Sequence, residues 1–409
     1  MGMIHSVISC VNSELPPEFV SKFNCAVSEM KGSLSLFFDL YSGSARLRRL
    51  YQERRLNPHP MLHLADRDSI FGVLAPFSSR ICVVGDIHGD ASLTLRSLIG
   101  SGKFEMDLDA TVECYFDVLE FDVRLGTDLG LFSDIVHCRY IPLPSSKVVE
   151  DNDTRLVFLG DYCDRGEDSL EVVAMLYLAK FLLEEKGKGA ELDLIFGDHE
   201  LYFLEDMDGF DVSLKQYYSD HDMFLEDGPA YRNASFKSLK LLLREGVKRG
   251  LFSVAIQIDD CVLSHSLLPY EAMSFIDNDL DDMKLQVLNQ QLQDLGEDPS
   301  LLLDTRYKAI FTLINHVVRG RIWSIDARIW RPCSGKPMLF AIGHEHSVGD
   351  YLPREIPANR LWRLEDDAGH TQVLCLDTDS SYVYGEQGRA TDCISFFEGN
   401  QVHAYRVTF

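Results

Sequence analysis

At 409 residues, 46% of them hydrophobic and 25% charged, the chain is long enough to bury a sizeable core, as one large domain with extensions or as two domains, and its composition excludes a disordered polymer. Its 64 acidic side chains against 39 basic ones leave a formal charge of −25, which excludes broad nucleic-acid binding because that depends on Lys and Arg neutralising phosphates. The ten cysteines are scattered, with no CxxC pair, and read as reduced thiols; no transmembrane segment or signal-peptide pattern is visible, so a cytoplasmic location is expected, with export to a host cell by a signal-less route left open.

Taken in chain order, residues 1–79 read as an N-terminal helical extension, with apolar residues at helix-like spacing over Phe19–Met30 and Leu34–Leu56 and a break at Asn57-Pro58-His59-Pro60. From 80 to 409, short apolar runs alternate with longer helical stretches, the texture of a layered α/β domain. The runs are Ile81–Val84, Leu156–Leu159, Leu192–Phe196, Cys261–Leu263, Met338–Ile342 and Val373–Leu376, and helices are expected over Ser92–Gly100, Ser169–Lys186, Ala234–Arg249 and Leu301–Val318. Glu105–Asp134, with nine acids and one base, marks an acidic insertion around 105–150, and Glu205–Asp227 is similarly acidic. Each reads as a solvated face or as a docking surface for a basic protein partner.

Five of the apolar runs end in residues that bind cations. Gly85-Asp86-Ile87-His88-Gly89-Asp90 follows the first, and Gly160-Asp161-Tyr162-Cys163-Asp164-Arg165-Gly166 follows the second. Gly197-Asp198-His199-Glu200, Ser264-His265-Ser266 and Gly343-His344-Glu345-His346 close the others. In open α/β sheets sites assemble at the carboxyl ends of strands, so segments more than 250 positions apart can converge there. Taken singly, each side chain has a plain structural reading: Asp86 or Asp161 as a helix cap, His265 as a hydrogen-bonded core imidazole, Arg165 as an ion pair. Together they point to a metal site. Carboxylate oxygens and imidazoles suit manganese, iron or zinc, and a pair of such ions clamps both oxygens of a phosphoryl displacement. The planar fork of Arg165 suits two phosphate oxygens.

The motifs GDIHG, GDYCDRG and GDHE resemble those of the phosphoprotein phosphatase branch of the calcineurin-like metallophosphoesterases, over about residues 80 to 400. The resemblance implies a fold of two packed mixed β-sheets flanked by helices. It also implies two divalent metal ions, manganese foremost: Asp86 and His88 on the first, Asp161 bridging, and Asp198, His265 and His344 on the second. His346 fits the last histidine of the wider superfamily's pattern and would stand near the first ion. His199, oriented by Asp164, would protonate the leaving oxygen, and Arg165 would hold the phosphate. A second phosphate-binding arginine is expected among Arg321, Arg328 and Arg331, with Arg328 favoured. The reaction implied is hydrolysis of phosphorylated protein side chains, Ser/Thr or Tyr, by direct attack of a metal-bridging hydroxide.

Two departures touch the second ion. Asp198 stands where the family keeps asparagine, and His265-Ser266-Leu267 replaces the usual HGG. The Gly-His-Glu-His ending keeps a second enzyme class open, hydrolysis of phosphodiesters or dinucleoside polyphosphates. A third class is a non-catalytic binding protein on a phosphatase scaffold, against which the intact motif residues argue. The elaborated domain style also resembles effector phosphatases of intracellular bacteria.

Overall fold

The computed structural model of the chain describes residues 61–64, 70–106, 112–117, 122–125, 135–141, 144–148, 152–166, 169–205, 239, 242–266, 282–298, 301, 314, 338–344, 362–365, 371–376 and 393–408. In chain order its strands are β1 (Met61–Leu64), β2 (Ile70–Val84), β3 (Phe104–Met106), β4 (Val112–Asp117), β5 (Asp122–Leu125), β6 (Ile135–Ile141), β7 (Pro144–Val148) and β8 (Arg155–Phe158). Then come β9 (Leu192–Ile195), β10 (Phe252–Ser253), β11 (Ala255–Ile258), β12 (Cys261–Ser264), β13 (Met338–Ile342), β14 (Trp362–Glu365), β15 (Thr371–Cys375) and β16 (Cys393–Thr408). The helices are α1 (Ala91–Gly100), α2 (Ser169–Glu185), α3 (Asp198–Glu205) and α4 (Asp282–Glu297), with a further helical stretch over 242–248.

Two mixed sheets form the body, in the orders β1-β16-β2-β8-β9-β10 and β11-β12-β13-β15-β14. Within the first, β2, β8, β9 and β10 run parallel; within the second, β12, β13 and β15 do. Side chains alternate across a strand, and the core follows that alternation. Ile81, Val83, Val157, Leu159 and Ile195 of one sheet share an apolar layer with Leu263, Leu339, Ala341 and Leu374 of the other. The intervening Cys82, Val84, Leu156, Phe158 and Leu194 pack with Leu95 and Leu98 of α1 and Val173 and Leu176 of α2. Both faces of β2, β8 and β9 are therefore covered, which explains why their sequences read as continuous apolar runs. The expected two-sheet α/β architecture is what the chain forms.

The boundary at residue 79 needs correction. Residues 61–64 and 70–79 are strand rather than helix: β1 pairs with the end of β16, and β2 is one strand from Ile70 to Val84, paired antiparallel to β16. The pairing partner lies more than 300 positions away, and Gly72, Pro76 and Ser78-Ser79 interrupt the local β pattern. The helix-like stretches Phe19–Met30 and Leu34–Leu56 lie outside the described residues. The acidic insertion has strands of its own: β5-β4-β6 form an antiparallel three-stranded sheet and β3 pairs with β7. Among the expected helices, α1 and α2 form as read. Ala234–Arg249 is helical at 239 and over 242–248, while most of Leu301–Val318 and all of 206–227 fall outside the described residues.

Candidate metal centre

Because β2, β8 and β9 run parallel, their last residues deliver three loops to one edge, and β12 and β13 deliver two more from the facing sheet. The loops after β2 and β8 are laced together by their backbones: Ile87 and His88 both donate N–H to the Asp161 carbonyl, at 3.1 and 2.6 Å, and Gly89 donates to that of Tyr162 at 2.9 Å. Positive φ at non-glycine residues collects here. His88 (47°), Asp161 (52°), Asp164 (77°), Arg165 (65°) and His344 (55°) all adopt it; the other described case is Asp259, in the turn between β11 and β12. Such conformations cost free energy and persist where the surroundings over-determine them. Gly343 is required by close approach, since a Cβ there would stand 2.5 Å from Asp86 Oδ1.

Asp86, His88, Asp161, Asp164, Asp198, His199, His265 and His344 are all buried. Donor atoms of Asp161, Asp198, His265 and His344 lie within 4.8 Å of one another, and so do those of His88, Asp161 and His199. Asp161 is common to both sets. In the first set, His265 Nε2 is 3.1 Å from His344 Nδ1 and 3.3 Å from both Asp161 Oδ1 and Asp198 Oδ1. His265 Nδ1 meets the Leu159 carbonyl at 2.8 Å; a carbonyl only accepts, so in the neutral ring the Nε2 lone pair points into the cluster. In the second set, Asp161 Oδ2 is 3.6 Å from His88 Nε2 and 3.8 Å from His199 Nε2. Asp86 stands between the sets. Its carboxylate accepts the His344 N–H at 3.1 and 3.2 Å and lies 3.9 Å from His88 Nε2 and 3.7 Å from His265 Nδ1. Geometry thus groups His199 with His88 and Asp161, where the resemblance names Asp86.

His199 Nδ1 bonds Asp164 Oδ2 at 2.5 Å, which turns Nε2 toward Asp161. Asp164 is itself fixed, its N–H donating to Ser169 Oγ at 3.0 Å and its Oδ1 accepting the Arg165 N–H at 2.7 Å. The Arg165 guanidinium reaches His88, Nη1 to Nε2 2.8 Å. His346, Arg321, Arg328 and Arg331 lie outside the described residues. Glu200, to which the motif reading gives no role, is buried behind the site with the backbone N–H groups of Asp161, Tyr162, Cys163 and Gly197 on its two oxygens. Its position three residues beyond Gly197, at the start of a helix, is a capping-box position, and that was the available signal.

Crowded acids divide the protons unevenly. Burial pushes the Asp161 carboxyl well above the usual carboxylate range, and Asp198, Asp86 and Glu200 push it further, partly opposed by Arg165. Burial would raise Asp198 too, but His199, His344 and His265 outweigh it and hold that carboxyl well below its usual range. Burial would lower His265, yet Asp86 and Asp198 raise it. The residues fit divalent metal: buried carboxylate oxygens and imidazole nitrogens converge in two sets sharing one aspartate, each of which could hold an ion.

The sequence model of the calcineurin-like phosphoesterases matches residues 79–348. A Caenorhabditis elegans protein named "Putative serine/threonine-protein phosphatase" is 29% identical over 143 residues, which is 35% of this chain and only 28% of the relative's length. Among solved structures, the cold-active protein-tyrosine phosphatase of a psychrophilic Shewanella species matches at a TM-score of 0.42 and 14% identity, covering 81% of this chain and 80% of that one. A Saccharomyces cerevisiae protein serine/threonine phosphatase matches at 0.39 and 13%, covering 88% and 87%. Overlaps this loose decide nothing about substrate, whereas the family match, residues 79–348, runs from the end of β2 through all five candidate ligand segments. The chain belongs to the calcineurin-like phosphoesterase family.

Proposed function

We propose that the chain is a metal-dependent phosphomonoesterase that removes phosphate from protein side chains. The observation that carries this reading is Asp161, shared by two converging donor sets, with Arg165 and the His199–Asp164 pair beside it. Asp86, His88 and Asp161 would hold one divalent ion, and Asp161, Asp198, His265 and His344 the second; manganese, iron or zinc suits these donors. When bound, such a pair supplies an activated water and neutralises charge on the phosphate. The chain's own residues do the rest. Arg165 holds two phosphate oxygens through its planar fork. His199 presents Nε2 to the departing oxygen as proton donor, while Asp164 on Nδ1 keeps the ring oriented. His346 near the first ion and Arg328 as a second phosphate ligand belong to the same reading.

Ser/Thr phosphate is favoured over Tyr by a modest edge, because the motifs resemble those of the phosphoprotein phosphatase branch. Turnover of an aryl phosphate monoester, an aryl diester, a dinucleoside polyphosphate and matched phosphoserine and phosphotyrosine peptides tests this. Monoesters should be turned over fastest, with phosphoserine ahead of phosphotyrosine. Faster cleavage of the diester or the polyphosphate would overturn the assignment in favour of that substrate class.

A further inference from the structure

Glu200 is a carboxylate taken out of water, and among the described residues no cationic side chain is bonded to it. What compensates it is a cup of amides. Oε2 accepts the N–H of Asp161 at 2.9 Å and of Gly197 at 3.0 Å; Oε1 accepts those of Tyr162 at 2.9 Å and Cys163 at 3.2 Å, and the Cys163 thiol at 3.0 Å. Three successive N–H groups can converge on one anion only if the backbone leaves its ordinary extended course, and Asp161 does so at φ 52°. Such nests commonly take a phosphate or a bound anion; here the chain fills the cup with its own side chain.

The consequence lies on the other side of the loop. Glu200 sits in the first turn of α3, on the same turn as Asp198 and His199, and its bond to Gly197 is the backward half of a capping box. By holding Asp161 N–H on the same oxygen, it fixes the start of α3 against the loop after β8. The His199 N–H then donates to Asp161 Oδ1 at 3.2 Å. The approach is close enough that a Cβ on Gly197 would stand 2.4 Å from Asp161 N and Oδ1.

We propose that Glu200 is a positioning residue that sets Asp161 against Asp198 and His199 and so preforms the shared-aspartate arrangement before any ion arrives. This rests on the metal-site reading above. Glu200→Gln keeps the shape but replaces one acceptor oxygen by an NH2 that must face N–H donors, so one half of the cup opens. Outer-shell changes of this kind typically cost ~10- to 100-fold in metal affinity.

The test uses the full chain, stripped by chelation and checked for folding by circular dichroism, with manganese titrated by calorimetry. Glu200→Gln should bind manganese ~10- to 100-fold more weakly. With an aryl phosphate, kcat should fall and recover partly at high manganese, with KM little changed. Equal affinity in folded Glu200→Gln and wild type would overturn the proposal. A measurement on the unaltered protein covers the case in which the variant does not fold: hydrogen exchange of residues 160–163 and 197 in chelated wild type. Protection there close to that of the manganese-loaded protein supports preformation by Glu200; free exchange until manganese is added means that the ion, not Glu200, orders the loop, and overturns it. If wild type bound none of manganese, iron and zinc, the metal reading itself would fall, and this proposal with it.

Discussion

Removal from water lifts the Asp161 carboxyl well above the usual carboxylate range, with Asp198, Asp86 and Glu200 adding to the lift. A folded-state pKa above the unfolded one favours the fold at acid pH, and that contribution is lost as pH rises through the folded value. In the chelated chain Asp161 therefore takes up a proton more readily than an ordinary carboxyl, and His265 more readily than an ordinary imidazole, so a cation competes with protons at both. Manganese affinity should accordingly rise with pH between the ordinary carboxylate range and the raised values, with protons released on binding. Calorimetry in buffers of differing ionisation enthalpy measures both; a pH-independent affinity with no proton release would contradict this. Asp198 has the opposite sign. Held low by three histidines, it stays ionised, and its contribution is present above the ordinary carboxylate range and lost only as pH falls through its lowered value. Asp198→Asn should weaken one manganese site by at least the ~10- to 100-fold that an outer-shell change costs, while turnover survives in excess metal. Unchanged affinity would show that residue 198 is not a ligand. Arg165→Lys keeps the charge and loses the fork, and kcat/KM should fall on the order of 100-fold, as when one transition-state donor is removed. An unchanged value would make Arg165 structural.

At the scale of elements, α1 begins immediately after the loop that carries Asp86 and His88, and its start is fixed by Asp90, whose buried carboxylate accepts the Leu93 N–H at 3.0 Å. Asp90→Ala should cost about 1 kcal/mol, the usual value for a lost N-cap. Denaturant unfolding checks this, and an unmoved midpoint would show that the cap contributes nothing. The strands that end in the candidate ligands were legible as strands because each is a largely apolar run buried on both faces and followed by Gly-Asp, Ser-His or Gly-His. Other elements were less so. The first half of β2 is recognisable only through β16, which it meets far along the chain. α4 does carry a helical signal, Leu285, Leu288, Leu292 and Leu295 all buried on one stripe, yet its low overall hydropathy hides it beside more apolar segments. Glu200 was legible as part of a motif and as a helix cap on Gly197 but not as a clamp, because three of its backbone N–H partners stand 37 to 39 positions away, which no side-chain pattern encodes.

Across the whole molecule, the family match ends at residue 348, but the principal sheet does not: β16, at 393–408, lies between β1 and β2 and extends that sheet. The insertion between β3 and β7 likewise has a sheet of its own, and among the described residues neither group of candidate metal-binding side chains draws on it. Beside these further elements the segments after β2, β8, β9, β12 and β13 bring their acids and histidines together, and this was legible because five apolar runs end in residues of cation-binding type. The central claim is that these segments hold ions on which phosphate hydrolysis depends. Turnover of an aryl phosphate monoester by chelated full-length protein, titrated with manganese, tests it most directly. Turnover should be absent without metal and should rise to a plateau as two equivalents bind; full turnover after verified metal removal, or none with both equivalents bound, would contradict the account.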